Sequence, residues 1–125
     1  MVNYPIGDFL IRIKNAAMAG GKEVEFESSK LVVAVAKVLE KAGYLSSVTN
    51  AKGTLRVALA VKSKKPILMD IGLVSKPGLR VYKGVDELKK KKGASTYVIS
   101  TPKGLVVTKE AIKLGIGGEV IAEVW

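Results

Sequence analysis

The chain has 125 residues, 48% of them hydrophobic, and contains neither cysteine nor histidine. That supplies a core for one ordinary domain or two small ones, and it excludes disulfides, thiol chemistry and imidazole as a general base or metal ligand. The 21 Lys+Arg against 11 Asp+Glu leave a net charge of +10, which points to a polyanionic partner such as RNA, DNA or an anionic membrane.

The first half reads as alternating helix and strand. Pro5 suits a helix's first turn, because its missing N–H would have no intrahelical partner there. Ile6, Phe9, Leu10 and Ile13 then recur at spacings of three and four, one apolar stripe that ends at Gly20-Gly21. Asp8, Arg12 and Lys14 interrupt those apolar residues, so no signal-peptide pattern is expected, and no run approaches the roughly 18 apolar residues of a spanning helix. Glu23 to Glu27 alternates charge with Val24 and Phe26, as a half-buried strand does. Ser28 and Ser29 are N-cap candidates for a second helix whose predicted face is Leu31, Ala34, Val35, Val38, Leu39 and Ala42, with Gly43 at its end. Tyr44 to Thr49 leads into the turn-forming Asn50-Ala51-Lys52-Gly53. Beyond it Leu55, Val57, Leu59 and Val61 alternate with smaller or polar residues, predicting a strand with those four inward.

Lys62-Ser63-Lys64-Lys65-Pro66 reads as a linker, dividing the chain into 1–63 and 64–125. The fold class expected is α+β with two small subdomains: an N-terminal α-β-α-β-β layer, and a mainly β C-terminal subdomain with a short helix. In the second half, Ile67 to Val74 is an apolar run and Ser75-Lys76-Pro77-Gly78 a turn. Leu79 to Lys83 should pair back on that run. Val85 to Leu88 predicts one helical turn, followed by Lys89 to Lys92. Tyr97 to Ile99 and Leu105 to Val107 form a hairpin around Pro102, Thr108 caps a helix from Lys109 to Leu114, and Glu119 to Trp125 closes the chain as a strand.

The hairpin segment Ser100-Thr101-Pro102-Lys103-Gly104 packs two hydroxyls, a cation and a turn glycine into five residues. Such a tip presents hydroxyls, amides and charge together to a polar surface; taken by itself it is also what a solvated turn looks like. A-form RNA shows 2′-hydroxyls and base edges in a wide minor groove. Ser100 and Thr101 can donate to or accept from such groups, Lys103 can meet a phosphate, and Gly104 lets backbones approach.

Several blocks together resemble the family of small-subunit ribosomal protein eight, in its bacterial form. They are Pro5 to Asn15, Ser28-Ser29-Lys30-Leu31, Val74 to Lys83, Ser100 to Gly104 with the Thr-led helix after it, and Gly115 to Ile121. They run in the family's order over essentially the whole chain. The resemblance implies a structural constituent of the small ribosomal subunit that binds the central domain of small-subunit ribosomal RNA and supports platform assembly beside neighbouring ribosomal proteins. It implies a ribosomal, cytoplasmic location. For many bacterial members it also implies repression of the protein's own messenger RNA. In that family the third position of the hairpin motif is commonly serine. Here it is Pro102, which removes a hydroxyl and an N–H while stiffening the loop. Glu119 matches an acidic residue of the family near the RNA, where it orients the loop or accepts from a base amine.

Further RNA-binding candidates are Lys76 in the signature turn, Arg80 and Tyr82 on one strand face, Lys30, Arg12 and Lys14. Arg80 and Tyr82 read either as a phosphate and base contact or as a cross-strand surface pair. Lys30 opposes the dipole at a helix N-terminus, a conflict that a bound phosphate would relieve. Arg12 and Lys14 lie off the apolar stripe and read as phosphate contacts or solvated charges. Trp125 reads as a packing residue. No catalytic, metal or cofactor residue is expected. Gly115-Ile116-Gly117-Gly118 lies after a helix and before a strand, the reverse of a dinucleotide fingerprint, and no acid/base pair has defensible spacing. A free-standing RNA- or DNA-binding regulator is the alternative. A membrane role is not expected, since the cations form no single helix face.

Overall fold

The computed structural model describes residues 4–125, an α+β fold that divides into two units, 4–70 and 71–125. In the first, α1 (Pro5–Met18) begins with proline in its first turn and buries Ile6, Phe9, Leu10 and Ile13, as their spacing predicts. It packs on β1 (Glu23–Glu27), and α2 (Lys30–Lys41) packs on β2 (Leu45–Ala51). With β3 (Thr54–Leu59) between them, β1 and β2 make an antiparallel sheet of order β1-β3-β2. Ser29 caps α2 by accepting from the Val32 N–H at 3.3 Å. Gly43, at φ 94, lets the Tyr44 N–H reach back to the Leu39 carbonyl and the Gly43 N–H to that of Glu40, a glycine-dependent helix stop.

Three expectations shift here. The buried face of α2 is Val32, Val35, Ala36 and Leu39, while Leu31 is 60% exposed and Ala42 is also exposed. Residues 31 to 39 are apolar except for Lys37, so the two faces were nearly equal in the sequence and packing on the sheet chose between them. Val61 is exposed because β3 ends at Leu59 and the chain turns away. Residues 62 to 66 are no open linker: β4 (Val61–Lys62) and β5 (Lys65–Pro66) pair as a tight hairpin, with Ser63 and Lys64 at φ 53 and 67. The chain divides between Asp70 and Ile71, beyond this hairpin.

The unit of residues 71–125 is built around one strand. β10 (Gly118–Val124) pairs along one edge with β6 (Ile71–Leu73) near its end and with β7 (Tyr82–Lys83) at its start. Along its other edge lies β8 (Thr96–Thr101), which pairs in turn with β9 (Gly104–Val107). Of the run from Leu79 to Lys83, Val81 to Lys83 therefore pair with β10 rather than back on residues 67 to 74. Ser75 enforces this: fully buried, its hydroxyl donates to the Val120 carbonyl at 2.7 Å and accepts from the Val81 N–H at 2.9 Å. Lys76 and Leu79 then close the turn with a single antiparallel bridge.

Between β7 and β8 lies α3 (Val85–Lys89), and between β9 and β10 lies α4 (Thr108–Leu114). Their Leu88 and Ala111 pack with Ile99 and Val120 of the sheet into a buried apolar core, flanked by Val74, Tyr97, Val106 and Ile112. Thr108 is the first helical residue rather than its cap. Its hydroxyl accepts instead from the Tyr97 N–H at 2.8 Å, tying the helix start to β8. Gly115, at φ 70, ends α4 as expected.

The register of α2 has a direct test. Leu31→Ala should change folding stability by less than about 0.5 kcal/mol, as for an exposed position. Leu39→Ala should lose about 2–5 kcal/mol. Urea denaturation of the two variants checks the pair.

Candidate nucleic-acid interface

Because β10 pairs on both edges, its residues align side chains from three strands. Glu119 lies directly opposite Ser100 of β8 and Tyr82 of β7. Directly paired residues of antiparallel strands project to the same face, so Tyr82, Glu119 and Ser100 stand abreast. Arg80, two residues before Tyr82, reaches Glu119 with an N···O distance of 3.3 Å. The carboxylate side chain is 19% exposed and the guanidinium 44%, so this pair is worth little as stability; its effect is to hold a cation and an acceptor at fixed positions. Tyr82 is 67% exposed, an aromatic ring held clear on a sheet face. Lys76, also exposed, stands on the turn that Ser75 anchors.

The tip of the β8–β9 hairpin is made by Pro102 and Lys103, between the paired Thr101 and Gly104. Proline presets the φ of the first turn position, and Gly104 at φ 108 supplies the positive φ after the turn, with open space around it. The Thr101 hydroxyl donates to the Gly104 carbonyl at 2.7 Å and accepts from the Lys103 N–H at 3.1 Å. Its donor is therefore spent inside the turn, and a threonine two residues before the amide it accepts from is the sequence signal for that. Ser100 has no such role. Half-buried beside Glu119, its hydroxyl is the one the turn leaves available, and Lys103 is exposed at the tip.

Two glycines set this alignment, and reading the sequence for phosphate loops missed their purpose. A Cβ on Gly118 would overlap the carbonyl oxygen of Ser100 and lie 2.9 Å from its carbonyl carbon. A Cβ on Gly117 would strike the Lys83 carbonyl and lie 2.7 Å from the Gly84 Cα. Real side-chain carbons do not approach backbone that closely, so the Gly-Gly pair is what lets β10 start between the ends of β7 and β8. Two adjacent glycines immediately before a strand were the available signal.

The remaining candidates lie on the unit of residues 4–70. Arg12 donates to the Glu25 carbonyl at 3.0 Å and stacks over the Phe26 ring, 5.0 Å from its centroid. Lys14 pairs with Asp70 at 3.2 Å. Both therefore have internal partners that the sequence did not reveal. Lys30 is exposed in the first turn of α2, which carries no acidic residue, beside an open cleft of about 320 Å³ lined by Ser28, Ser29, Val33 and Asn50. Among the described residues no cluster of three or more His, Cys, Asp or Glu could hold a metal ion, and no helix is long and apolar enough to cross a membrane.

The family model described as ribosomal protein S8 matches residues 4–125. The chain is similar to the small ribosomal subunit protein uS8 of Nitratiruptor sp., with 41% identity covering all of both chains. It is 43% identical to that of Geobacter metallireducens, over 97% of this chain and 96% of the relative. The protein of the same name from Hydrogenovibrio crunogenus is 47% identical over 94% and 93%.

The glycine alignment and the Thr101 turn predict distinct losses. Gly118→Ala should destabilise the fold by about 1–3 kcal/mol or more through overpacking against β8. Gly104→Ala, with space but positive φ, should lose about 1 kcal/mol or more through backbone strain alone. Thr101→Val should lose about 1 kcal/mol of folding stability with its two hydrogen bonds. Chemical denaturation of the three variants orders these effects.

Proposed function

Because the chain belongs to the ribosomal protein S8 family, we propose that it is a constituent of the small ribosomal subunit that binds the central domain of small-subunit ribosomal RNA through one face of residues 71–125. The family is one of ribosomal structural proteins rather than enzymes. The observation that carries the reading is the line of Tyr82, Glu119 and Ser100 across three strands, with Arg80 on Glu119 and the Pro102–Lys103 tip at one end. Each group suits an irregular RNA helix. The Tyr82 ring offers a stacking surface to an unpaired base, and Ser100 donates to a 2′-hydroxyl or base edge. Glu119, unable to sit against phosphate without repulsion, accepts from a base amine. Lys76, Lys103 and Arg80 meet phosphates around these groups.

The hairpin contact runs through Ser100, Lys103 and the backbone about Gly104, with Pro102 stiffening the tip and Thr101 holding its shape. Arg12 and Lys14 serve α1 and its neighbours first. Lys30, with no internal ion pair among the described residues, is a candidate of the 4–70 unit for a phosphate. Bound early in assembly, the protein supports the platform beside neighbouring ribosomal proteins. A messenger segment folded like the ribosomal site would fit the same face and bring the protein's own translation under its control.

The purified chain should bind a structured central-domain fragment far more tightly than arbitrary duplex RNA, with affinity falling as salt rises. Equal affinity for every RNA would leave only a non-specific basic protein. Ser100→Ala should lose about 1–2 kcal/mol of that binding with folding unchanged. Lys103→Ala should shallow the salt dependence by about one unit while keeping the preference for the fragment. Filter binding across a salt series reads both; full affinity in Ser100→Ala would remove the hairpin from the interface.

A further inference from the structure

The hairpin of β4 and β5 carries two unfavourable features that nothing within residues 4–70 relieves. Lys62 and Lys65 are direct cross-strand partners, so two like charges face each other on strands whose opposed Cα atoms lie about 4.5–5.5 Å apart. Like charges in that position destabilise a sheet. The two-residue turn between them needs positive φ at both centres, and it is Ser63 and Lys64 that adopt it, at φ 53 and 67. The same turn between β2 and β3 places a glycine, Gly53 at φ 80, at its second centre. A lysine there is strained where glycine would not be.

No counter-charge is near in sequence either. Between Glu40 and Asp70 there is no acidic residue, while Lys41, Lys52, Arg56, Lys62, Lys64 and Lys65 all fall in that interval. Arg56 is paired with Glu25. Lys62, Lys64 and Lys65 are exposed and make no ion pair among the described residues. Local rules broken without an internal compensating gain mark a functional element.

We propose that the Lys62–Lys65 hairpin is a second RNA contact, in which Lys62, Lys64 and Lys65 bind successive phosphates of structured RNA. The partner follows from the charge pattern. Three cations gathered on a short hairpin match a ligand with dense and regularly spaced negative charge, which a phosphate backbone is. Ser63 is the one hydroxyl among them, and the three cations themselves add affinity without sequence preference. The inference rests on the RNA-binding reading and adds the Lys62–Lys65 hairpin to Lys30 as contacts from the unit of residues 4–70.

The test uses the full chain. Lys62→Gln/Lys65→Gln should raise the thermal midpoint by removing the repulsion, and Lys64→Gly should raise it by removing the strain. The double variant should bind whole small-subunit RNA with a salt dependence shallower by about two units, while keeping its preference for the central-domain fragment. A photocrosslinker placed at Ser63 in the otherwise unchanged chain should join it to RNA in assembled subunits. A stabilised double variant with an unaltered salt dependence would overturn the inference and leave the sheet face standing. So would a lowered midpoint, since the lysines would then serve the fold, and so would crosslinks to a neighbouring protein alone. If the wild-type chain bound no RNA, both readings would fall together.

Discussion

At Gly118 the backbone of β10 lies so close to the Ser100 carbonyl that no side chain fits between them, and at Gly117 the same is true of the Lys83 carbonyl on the other side. This double close approach is what allows one strand to begin wedged between two others. From it follow the pairing of Glu119 with both Tyr82 and Ser100 and the reach of Arg80 to Glu119. The hairpin tip is positioned in turn, because β8 and β9 extend from the same rung. A face assembled from backbone register needs no flexible side chain to organise it, so its groups are held in place before any ligand arrives. Such preorganisation lowers the entropy lost on binding.

Ser75 does for the turn at residues 76–79 what the glycines do for the hairpin. Its buried hydroxyl satisfies one carbonyl of β10 and one N–H of the returning chain, replacing a rung of sheet where the turn departs. On the opposite side of the sheet, the Leu88–Ile99–Ala111–Val120 core fixes α3 and α4 and so clamps β10 from behind. The charged groups divide by task. Some close on each other within a unit, as do Lys91 with Glu123 at 3.4 Å and Lys14 with Asp70. Others, Lys103 and the Lys62–Lys65 hairpin among them, remain exposed. Much of the basic excess that points to a polyanion in the composition is thus carried by residues with no internal ion pair among the described residues.

How far the sequence can be read depends on the range of the interaction that sets each feature. The α1 stripe, the stop at Gly43 and the Pro102 hairpin were legible because spacing, a φ requirement or turn chemistry fixes them within a few residues. The face of α2 was not, since residues 31 to 36 offer apolar side chains in every direction and only the sheet beneath selects Val32 over Leu31. The partner of residues 82–83 was equally hidden: local alternation cannot say that a strand nearly forty positions later, at Gly118 and Glu119, will take the pairing. At the candidate site the residue types were visible, but their division of labour was not. Thr101 and Ser100 look alike in the sequence, and only the turn's own hydrogen bonds separate the hydroxyl that builds the tip from the one that is free. Arg12 and Lys14 likewise looked like surface cations until Glu25, Phe26 and Asp70 were brought to them.

The chain contains no cysteine, so a single cysteine can carry a tethered hydroxyl-radical source without ambiguity. Placed in turn at Lys76 and at Lys103, on the signature turn and the hairpin tip, it reports whether both ends of the Tyr82–Glu119–Ser100 line face the same RNA. Cleavage from both positions converging on one irregular helix of the central domain is the expected result. Cleavage from the two positions in unrelated segments, or none above background, would contradict a single RNA-reading face built on β10.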